Sequence, residues 1–191
     1  MKTDWHDLAP ALVAEHLAAT GPGAVAEIGV WRGELSARLL QLIPALTHLT
    51  LVDPWHPSML RTEDNRWYYC GPGTTMETME AAYQETRRVT DWYQDCVTIL
   101  RLPSVEAANK LIDESLAVVL IDALHFKNTL MDDIAAWRSK LRPGGLMIGD
   151  DYSDYYPGVQ LGVEAVFGNK HKVLGQTWWA YPNGGRYVAM H

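Results

Sequence analysis

Residues 116–152, LAVVLIDALHFKNTLMDDIAAWRSKLRPGGLMIGDDY, decide the fold that the sequence predicts. The apolar run at 117–121 is typical of a strand buried on both faces of a parallel sheet. A helix is predicted from about 129 to 141, because apolar residues recur three and four positions apart there. The turn residues at 142–145 are expected to end this helix before a second apolar run at 146–148. The stretch therefore predicts two neighbouring parallel strands joined by a helix.

Acidic residues follow both of these predicted strands. Asp122 comes directly after the first strand, and Asp150 and Asp151 follow the second. Ligands bind at the carboxyl edge of an open α/β sheet, so we expect these three side chains to converge. Carboxylates that meet at one edge repel each other unless a proton or a cation neutralises them, and an all-oxygen site favours Mg²⁺ or Ca²⁺. The sequence thus predicts a divalent-cation site formed by Asp122, Asp150 and Asp151.

A histidine stands close to this predicted metal site. His125 lies three residues after Asp122, on the loop that leaves the same strand. Its ordinary pKa is near neutral, so beside a metal it is the first candidate for a general base, with Asp122 as its catalytic partner. Lys127 is the second candidate and needs a depressed pKa to serve. The alternative for a loop histidine is a solvated or capping residue.

The first predicted strand, 24–28, leads into a glycine-rich turn and a helix from about 34 to 42. Gly29 and Gly33 let the backbone approach a ligand closely, and the helix N-terminus presents N–H groups that have no partner in the helix. The spacing differs from the G-x-G-x-x-G pattern of dinucleotide folds. Glu27 can accept a hydrogen bond from a ligand ammonium or cap its own loop, but it would repel a phosphate. This segment is a candidate cofactor cradle.

Two more polar residues follow predicted strands. Asp53 ends the strand at 49–52, where it can bind two ribose hydroxyls or form an Asx turn before Pro54. Ser104 follows the strand at 96–102, where its hydroxyl can meet an adenine edge or cap the next helix, at about 105–112. Both interpretations stay open for each residue.

The rest of the chain adds an irregular segment and the outer elements of the sheet. The segment at 54–74 is rich in proline, glycine and aromatic residues, which favours a lid, a substrate wall or an oligomer contact. The last two predicted strands are expected to pair around the turn at 182–185. The remaining predicted elements are helices at 5–19, 75–93 and 158–167 and strands at 172–174, 177–179 and 187–189.

Composition favours one domain over residues 1–191 that is soluble and cytoplasmic. The net charge of −7 argues against a nucleic-acid or anionic-membrane surface. Cys70 and Cys96 match no metal or disulfide spacing, so reduced thiols are expected. The N-terminus lacks the apolar core of a signal peptide, and no segment approaches the roughly 18 apolar residues of a membrane span. The expected partner is a small molecule, and a homodimer is an open alternative for the aromatic residues.

The ordered motifs resemble those of class I S-adenosylmethionine-dependent methyltransferases. They are E-x-G-x-x-x-G at 27–33, Asp53, IDALH at 121–125, LRPGG at 141–145, GDDY at 149–152 and PGV at 157–159. The set from IDALH onward is similar to the metal-dependent O-methyltransferases that include the macrocin and mycinamicin sugar methyltransferases, with catechol O-methyltransferase a more distant analogue. The resemblance implies an α/β, three-layer, doubly wound fold. Its Rossmann-like sheet would have seven mostly parallel strands, with an antiparallel last strand.

The resemblance also implies a reaction and a role for each candidate residue. The reaction is Mg²⁺-dependent transfer of a methyl group from S-adenosylmethionine to a hydroxyl of a sugar or aromatic natural-product moiety. The alternatives are a non-methyltransferase enzyme on the same scaffold, like a protein associated with cephalosporin hydroxylation, and a cofactor-binding module without catalysis. The implied roles are cofactor binding for Glu27, Gly29, Gly33, Asp53, Ser104 and Asp122, metal binding for Asp122, Asp150 and Asp151, and base catalysis for His125.

Overall fold

The computed structural model describes residues 4–57 and 74–184. Within these ranges the helices are α1 (Trp5–Thr20), α2 (Glu34–Leu42), α3 (Met76–Thr90), α4 (Ser104–Ala108), α5 (Lys127–Arg138) and α6 (Pro157–Phe167). The strands are β1 (Gly23–Ile28), β2 (Leu46–Val52), β3 (Val97–Leu100), β4 (Leu116–Ile121), β5 (Leu141–Gly149), β6 (His171–Leu174) and β7 (Thr177–Ala180). A 3₁₀ helix, Asp91–Cys96, joins α3 to β3.

The seven strands form one sheet in the order β3-β2-β1-β4-β5-β7-β6. Strands β1 to β5 pair in parallel, and β7 runs antiparallel to both of its neighbours. This arrangement confirms the predicted seven-stranded, mostly parallel sheet with an antiparallel last strand. The chain order reverses between β1 and β4, which places the carboxyl ends of β1, β2 and β4 around the crevice where ligands bind in such sheets.

Two apolar cores cover the two faces of the sheet. Successive residues of a strand point to opposite faces, so Val118 belongs to the core under α1, α2 and α3, while Val119 belongs to the core under α4, α5 and α6. All six residues of β4 are buried, as the continuous apolar run predicts for a strand covered on both faces. The three-layer architecture is therefore confirmed.

The helix that joins β4 to β5 differs at its end from the predicted one. Leu130, Ile134 and Trp137 are buried as their spacing predicts, but α5 ends at Arg138. Residues 142–145 do not end it; they belong to β5. Leu116 faces Leu141 while Val118 faces Leu146, so the intervening residues bulge out of the ladder. Proline and glycine here interrupt strand pairing instead of capping a helix.

The pairing predicted for the last strands is wrong. Strand β7 lies between β5 and β6, and both of its edges are used, so 177–179 does not pair with 187–189. The hairpin is instead formed by β6 and β7 across a two-residue turn that begins at Gly175, whose φ of 62° suits glycine. The predicted strand at 187–189 lies outside the described residues.

The other predicted elements are found with shifted ends. Strand β3 and helix α4 are shorter than the predicted 96–102 and 105–112, and the helix predicted over 75–93 changes to 3₁₀ geometry after Thr90. Of the segment at 54–74, residues 58–73 lie outside the described residues, so the lid interpretation stays a prediction. In the ranges that the structure describes, no helix combines the length and apolarity required to cross a bilayer.

Candidate active site

A cavity of about 360 Å³ opens at the carboxyl ends of the central strands. This volume lies within the usual range for small-molecule sites. Six of the predicted site residues line it: Glu27, Gly29, Asp53, Ser104, Asp122 and His125. Gly33, Asp150 and Asp151 do not line the cavity. Most of the predicted site residues therefore lie around one cavity at one edge of the sheet, and their contacts there differ.

Gly29 lets two strand ends meet. A Cβ at this position would overlap the backbone carbonyl of Asp122, and its φ of 84° also favours glycine. The Gly29 N–H donates to the Val52 carbonyl at 2.9 Å, and the Asp122 N–H donates to the Ile28 carbonyl at 2.8 Å. These contacts fix the ends of β1, β2 and β4 against each other. Gly29 is thus required by its close contact with the Asp122 backbone, directly after β4, whether or not a ligand is bound.

Gly33 has a packing role in the structure, and the cofactor contact predicted for it stays a prediction. It is the N-cap of α2 in a left-handed conformation, with φ of 77°. A Cβ there would approach Thr86 and Val89 of α3 to 3.0–3.3 Å, so this glycine allows α2 and α3 to pack closely. In the described ranges no side-chain hydrogen bond caps α2, so the N–H groups of its first turn can bind water or a ligand.

Glu27 is a buried acid with a hydroxyl partner. The Ser36 hydroxyl, which is itself buried in α2, donates to Glu27 Oε2 at 2.7 Å. Burial raises the pKa of Glu27 to about 8, and the negative charges of Asp122 and Asp53 act in the same direction. Ser36 was missed from the sequence, because a partner nine residues away on the next helix leaves no local pattern. The second oxygen of Glu27 remains available to a ligand.

Asp53 holds the glycine-rich turn. Its Oδ2 accepts from the backbone N–H groups of Val30 and Trp31, both at 3.1 Å, and its Oδ1 accepts from the Trp55 N–H at 2.7 Å. The last contact confirms the Asx turn. Trp31 and Trp55 have positive φ values of 53° and 42°, which cost free energy and are stabilised here by these bonds. A carboxylate has about four acceptor sites, so one remains for a ribose hydroxyl, a role that stays a prediction.

The candidate metal site differs by one residue from the predicted set. Asp122, His125 and Asp151 each offer one ligand atom, and these atoms lie within 4.8 Å of one another. His125 Nε2 is 2.7 Å from Asp151 Oδ2 and 3.8 Å from Asp122 Oδ1. Asp151 has a φ of 61°, unusual for a residue with a side chain. The described residues therefore place an imidazole where the sequence predicts the carboxylate of Asp150.

Asp150 lies next to this cluster, and the charges of the cluster affect the pKa of its carboxyl. Its N–H donates to the Ile121 carbonyl at 3.3 Å, which fixes the end of β5 beside the end of β4. Burial, together with the negative charges of Asp122 and Asp151, raises the pKa of Asp150 to about 7. These acids therefore converge as predicted, and their mutual repulsion is the electrostatic property that a cation relieves.

His125 is buried, so the solvated interpretation is wrong. Only 4% of the residue is exposed, and its ring lies 4.3 Å from that of Tyr156. Burial lowers the pKa of His125, but hydrogen bonds and negative charge from Asp122 and Asp151 outweigh this effect and raise it to about 9. The ring therefore competes with any cation for these two carboxylates. Lys127, the other candidate base, is exposed at the start of α5.

Ser104 belongs to a buried hydrogen-bonded group. It is the first residue of α4, and its side chain does not cap that helix, so the capping interpretation is wrong. Trp137 Nε1 donates to Ser104 Oγ at 2.9 Å, and Ser104 also forms a hydrogen bond with Asp133. Asp133 was missed from the sequence although a signal was present. It lies three residues after Leu130 and four before Trp137, which puts an acid on the apolar face of α5.

The lining of the cavity fits a ligand that carries positive groups. Among the described residues that line it, acidic side chains outnumber basic ones, and an acidic lining attracts ammonium and sulfonium groups and repels phosphates. S-adenosylmethionine carries both of these cationic groups. The acidic lining residues are Glu27, Glu34, Asp53, Asp122, Asp132 and Asp133, and the basic ones are Arg32, His6, His56 and His125.

Comparison with known families agrees with this geometry. The sequence profile of the family described as "Methyltransferase domain" matches residues 26–152, more than half of the 191-residue chain. The chain belongs to this methyltransferase family. The match runs from β1 to the residues just after β5, so it covers the cradle, Asp53 and the candidate metal site. It confirms the class I S-adenosylmethionine-dependent methyltransferase that the motif order predicts.

Solved structures show the same fold at low sequence identity. The O-methyltransferase NovP is 17% identical with a TM-score of 0.63, over 92% of this chain and 78% of NovP. An assigned O-methyltransferase from Klebsiella pneumoniae is 16% identical with a TM-score of 0.63, over 96% of this chain and 84% of that one. CalS11, a TDP-rhamnose 3′-O-methyltransferase of calicheamicin biosynthesis, is 14% identical with a TM-score of 0.56, over 93% and 81%. No curated protein sequence matches the chain.

Proposed function

We propose that this methyltransferase is a Mg²⁺-dependent O-methyltransferase that acts on a hydroxyl of a small molecule. The observation that carries the proposal is the position of the Asp122, His125 and Asp151 cluster. Asp122 and His125 belong both to this cluster and to the lining of the acidic cavity. A cation site and a donor site that share side chains can hold an acceptor oxygen and a methyl group close together, which is the geometry that methyl transfer requires.

The ends of β1 and β2 would bind the donor. Glu27 keeps one oxygen free of Ser36 and would accept from the ammonium of the methionine end. Asp53 would accept from a ribose hydroxyl with its remaining site while its other contacts hold the turn. Gly29 would hold this donor site together, because it lets the turn after β1 lie directly against the Asp122 backbone. These assignments are supported by the acidic lining, which suits a cationic donor.

The ends of β4 and β5 would hold the divalent ion and the base. Asp122 and Asp151 would supply oxygen ligands, and the charge of the neighbouring Asp150 would add to theirs, so the donor set suits a hard cation such as Mg²⁺. When bound, such an ion orients a hydroxyl and lowers its pKa. His125 could accept the hydroxyl proton at Nε2 only as the neutral ring, which would require a bound cation, and not the ring, to neutralise the two carboxylates that Nε2 faces. Its position is fixed by the close contact of Gly158 with the His125 backbone.

The acceptor would be a sugar or an aromatic moiety of a natural product. Tyr156 packs on His125, and Tyr155, which is 81% exposed, meets Tyr156 edge to face at 4.8 Å. Aromatic rings beside a polar reaction centre suit stacking on a sugar face or a flat ring. The TDP-rhamnose acceptor named for CalS11, which has the same fold, supports this class.

Methyl transfer from labelled S-adenosylmethionine to a panel of sugars, nucleotide sugars and phenols tests the proposal. We expect labelled product with at least one hydroxyl acceptor, and we expect it only when Mg²⁺ or another divalent ion is present. Full activity in excess chelator would remove the metal from the proposed reaction. Cofactor binding without turnover on any acceptor would favour a binding module instead.

A further inference from the structure

Asp133 is a buried carboxyl in the cavity that the proposed reaction does not use. Only 6% of the residue is exposed, although it lines the cavity from the middle of α5. Burial raises the pKa of Asp133 to about 7, and the hydrogen bond with Ser104 opposes that change. A buried carboxyl is costly unless it is hydrogen-bonded, so its contacts indicate what the surrounding space is built to receive.

The direction of the hydrogen bonds around Ser104 can be assigned from chemistry. An indole N–H can only donate, and Trp137 Nε1 donates to Ser104 Oγ at 2.9 Å. The serine hydroxyl has a single proton, and because Oγ accepts from the indole, that proton is available for the hydrogen bond with the Asp133 carboxylate. The chain of donors therefore runs from Trp137 through Ser104 to Asp133.

This direction determines what the end of the cavity offers to a ligand. Ser104 has no proton left to donate, whereas the Asp133 carboxylate still has acceptor sites. Ser104 follows β3, and β3 is the neighbour of β2, whose end carries Asp53. The purine end of a nucleoside bound at Asp53 would therefore meet an acceptor here, and a ligand that fits must carry an N–H donor.

We infer that Asp133 recognises the exocyclic amine of the adenine ring, and that Ser104 is a positioning residue that orients its carboxyl. The inference rests on the proposed function, because it takes S-adenosylmethionine as the donor. It changes the role predicted for Ser104, whose hydroxyl points its proton at Asp133 and not at adenine. The chemical class that this end selects is a 6-aminopurine over a purine without the amine.

Calorimetric binding of two ligands tests the inference. One ligand is S-adenosylhomocysteine, and the other is its analogue with hydrogen in place of the 6-amino group. At pH 8, above the pKa of Asp133, we expect the wild-type protein to bind the amino form tighter by about tenfold or more, the usual effect of one hydrogen bond to a charged acceptor. Asp133→Ala removes the acceptor and is expected to bring this ratio close to one. Asp133→Asn keeps a carbonyl oxygen and is expected to retain part of the ratio.

Two further variants separate recognition from folding. Ser104→Ala is expected to weaken binding of both ligands but to keep a preference for the amine, because Asp133 remains. Asp113→Asn is the matched control, since Asp113 is an exposed acid that pairs with Lys140 away from the cavity. An equal affinity of the wild-type protein for both ligands, or an unchanged ratio in Asp133→Ala, would overturn the inference. If the wild-type protein binds neither ligand, the donor assignment itself fails.

Discussion

The two halves of the cavity use the same kind of side chain in opposite ways. At the ends of β1 and β2, Glu27 accepts from a serine hydroxyl, and Asp53 accepts from three backbone N–H groups. At the ends of β4 and β5, Asp122 and Asp151 instead face the imidazole of His125. Glu27 and Asp53 thus accept hydrogen bonds from neutral groups, whereas Asp122 and Asp151 both face the ring of His125, which can gain or lose a proton.

The two halves therefore differ in what holds their acids in place. In the prebuilt half, at the ends of β1 and β2, the acids are fixed by hydrogen bonds within the protein. In the other half, at the ends of β4 and β5, the acids repel each other and would gain from a bound cation. The bonds to Asp53 hold a turn with positive φ values, so its carboxylate stabilises the backbone as well as facing the cavity. Asp150, by contrast, has a raised pKa partly because two other carboxylates stand beside it. A cation gains most where like charges are gathered, so the β4–β5 half is where a metal ion should have its effect.

The largest expected effect is that of Asp122→Asn. Asp122 belongs to the metal cluster and to the cavity lining, so its loss should abolish Mg²⁺-dependent turnover. Binding of S-adenosylhomocysteine, measured by calorimetry, should change little, because Glu27 and Asp53 are untouched. Asp113→Asn removes an exposed acid and serves as the control. Turnover of Asp122→Asn at the wild-type rate would show that the two halves do not differ as described.

The next largest effect on turnover is expected when the proposed general base, His125, is replaced. His125→Asn should lower kcat by about 100- to 10,000-fold, the usual contribution of a general base. Lys127→Ala should lower it only a few fold, because Lys127 is exposed at the start of α5 while His125 faces the carboxylates. Single-turnover rates of the two variants check this order. The reverse order would make Lys127 the base.

A smaller effect is expected in the prebuilt half. Asp53→Asn replaces a charged acceptor of three backbone N–H groups by a neutral amide. We expect the free energy of unfolding to fall by about 1–3 kcal/mol. Affinity for S-adenosylhomocysteine should fall as well. Urea denaturation of the variant beside Asp113→Asn measures the stability change; equal stabilities would mean that Asp53 does not hold the turn.

The last expected effect is a change in the pH dependence of stability. The pKa of Glu27 is about 8 in the folded protein and 4.5 ordinarily, so the folded state binds the proton more tightly. Stability should therefore fall as pH rises through this window, by at most about 1.4 kcal/mol per pH unit for one proton. Glu27→Gln cannot titrate, so its decline should be shallower. Denaturation midpoints of both proteins between pH 5 and 9 provide the comparison, and parallel curves would contradict it.

The sequence predicts the edge of the sheet better than it predicts the contacts there. Strand ends follow from apolar runs, so Glu27, Asp53 and Asp122 could be placed at one edge from local patterns alone. The partners of these acids could not, because Ser36 and the turn N–H groups come from other elements. The bulge at 142–145 was missed for a related reason, since proline and glycine end helices and interrupt ladders alike. Asp133 could have been predicted to be buried, because it is an acid on the apolar face of a predicted helix, although it was missed.

The binding of Mn²⁺, followed by electron paramagnetic resonance in the presence of S-adenosylhomocysteine, tests the central claim most directly. The ends of β4 and β5 are expected to bind a single Mn²⁺ in a saturable way in the wild-type protein, and Asp122→Asn is expected to lose this binding. Saturable binding of equal strength in both proteins, or its absence in the wild-type protein, would contradict the claim that these strand ends hold a catalytic cation.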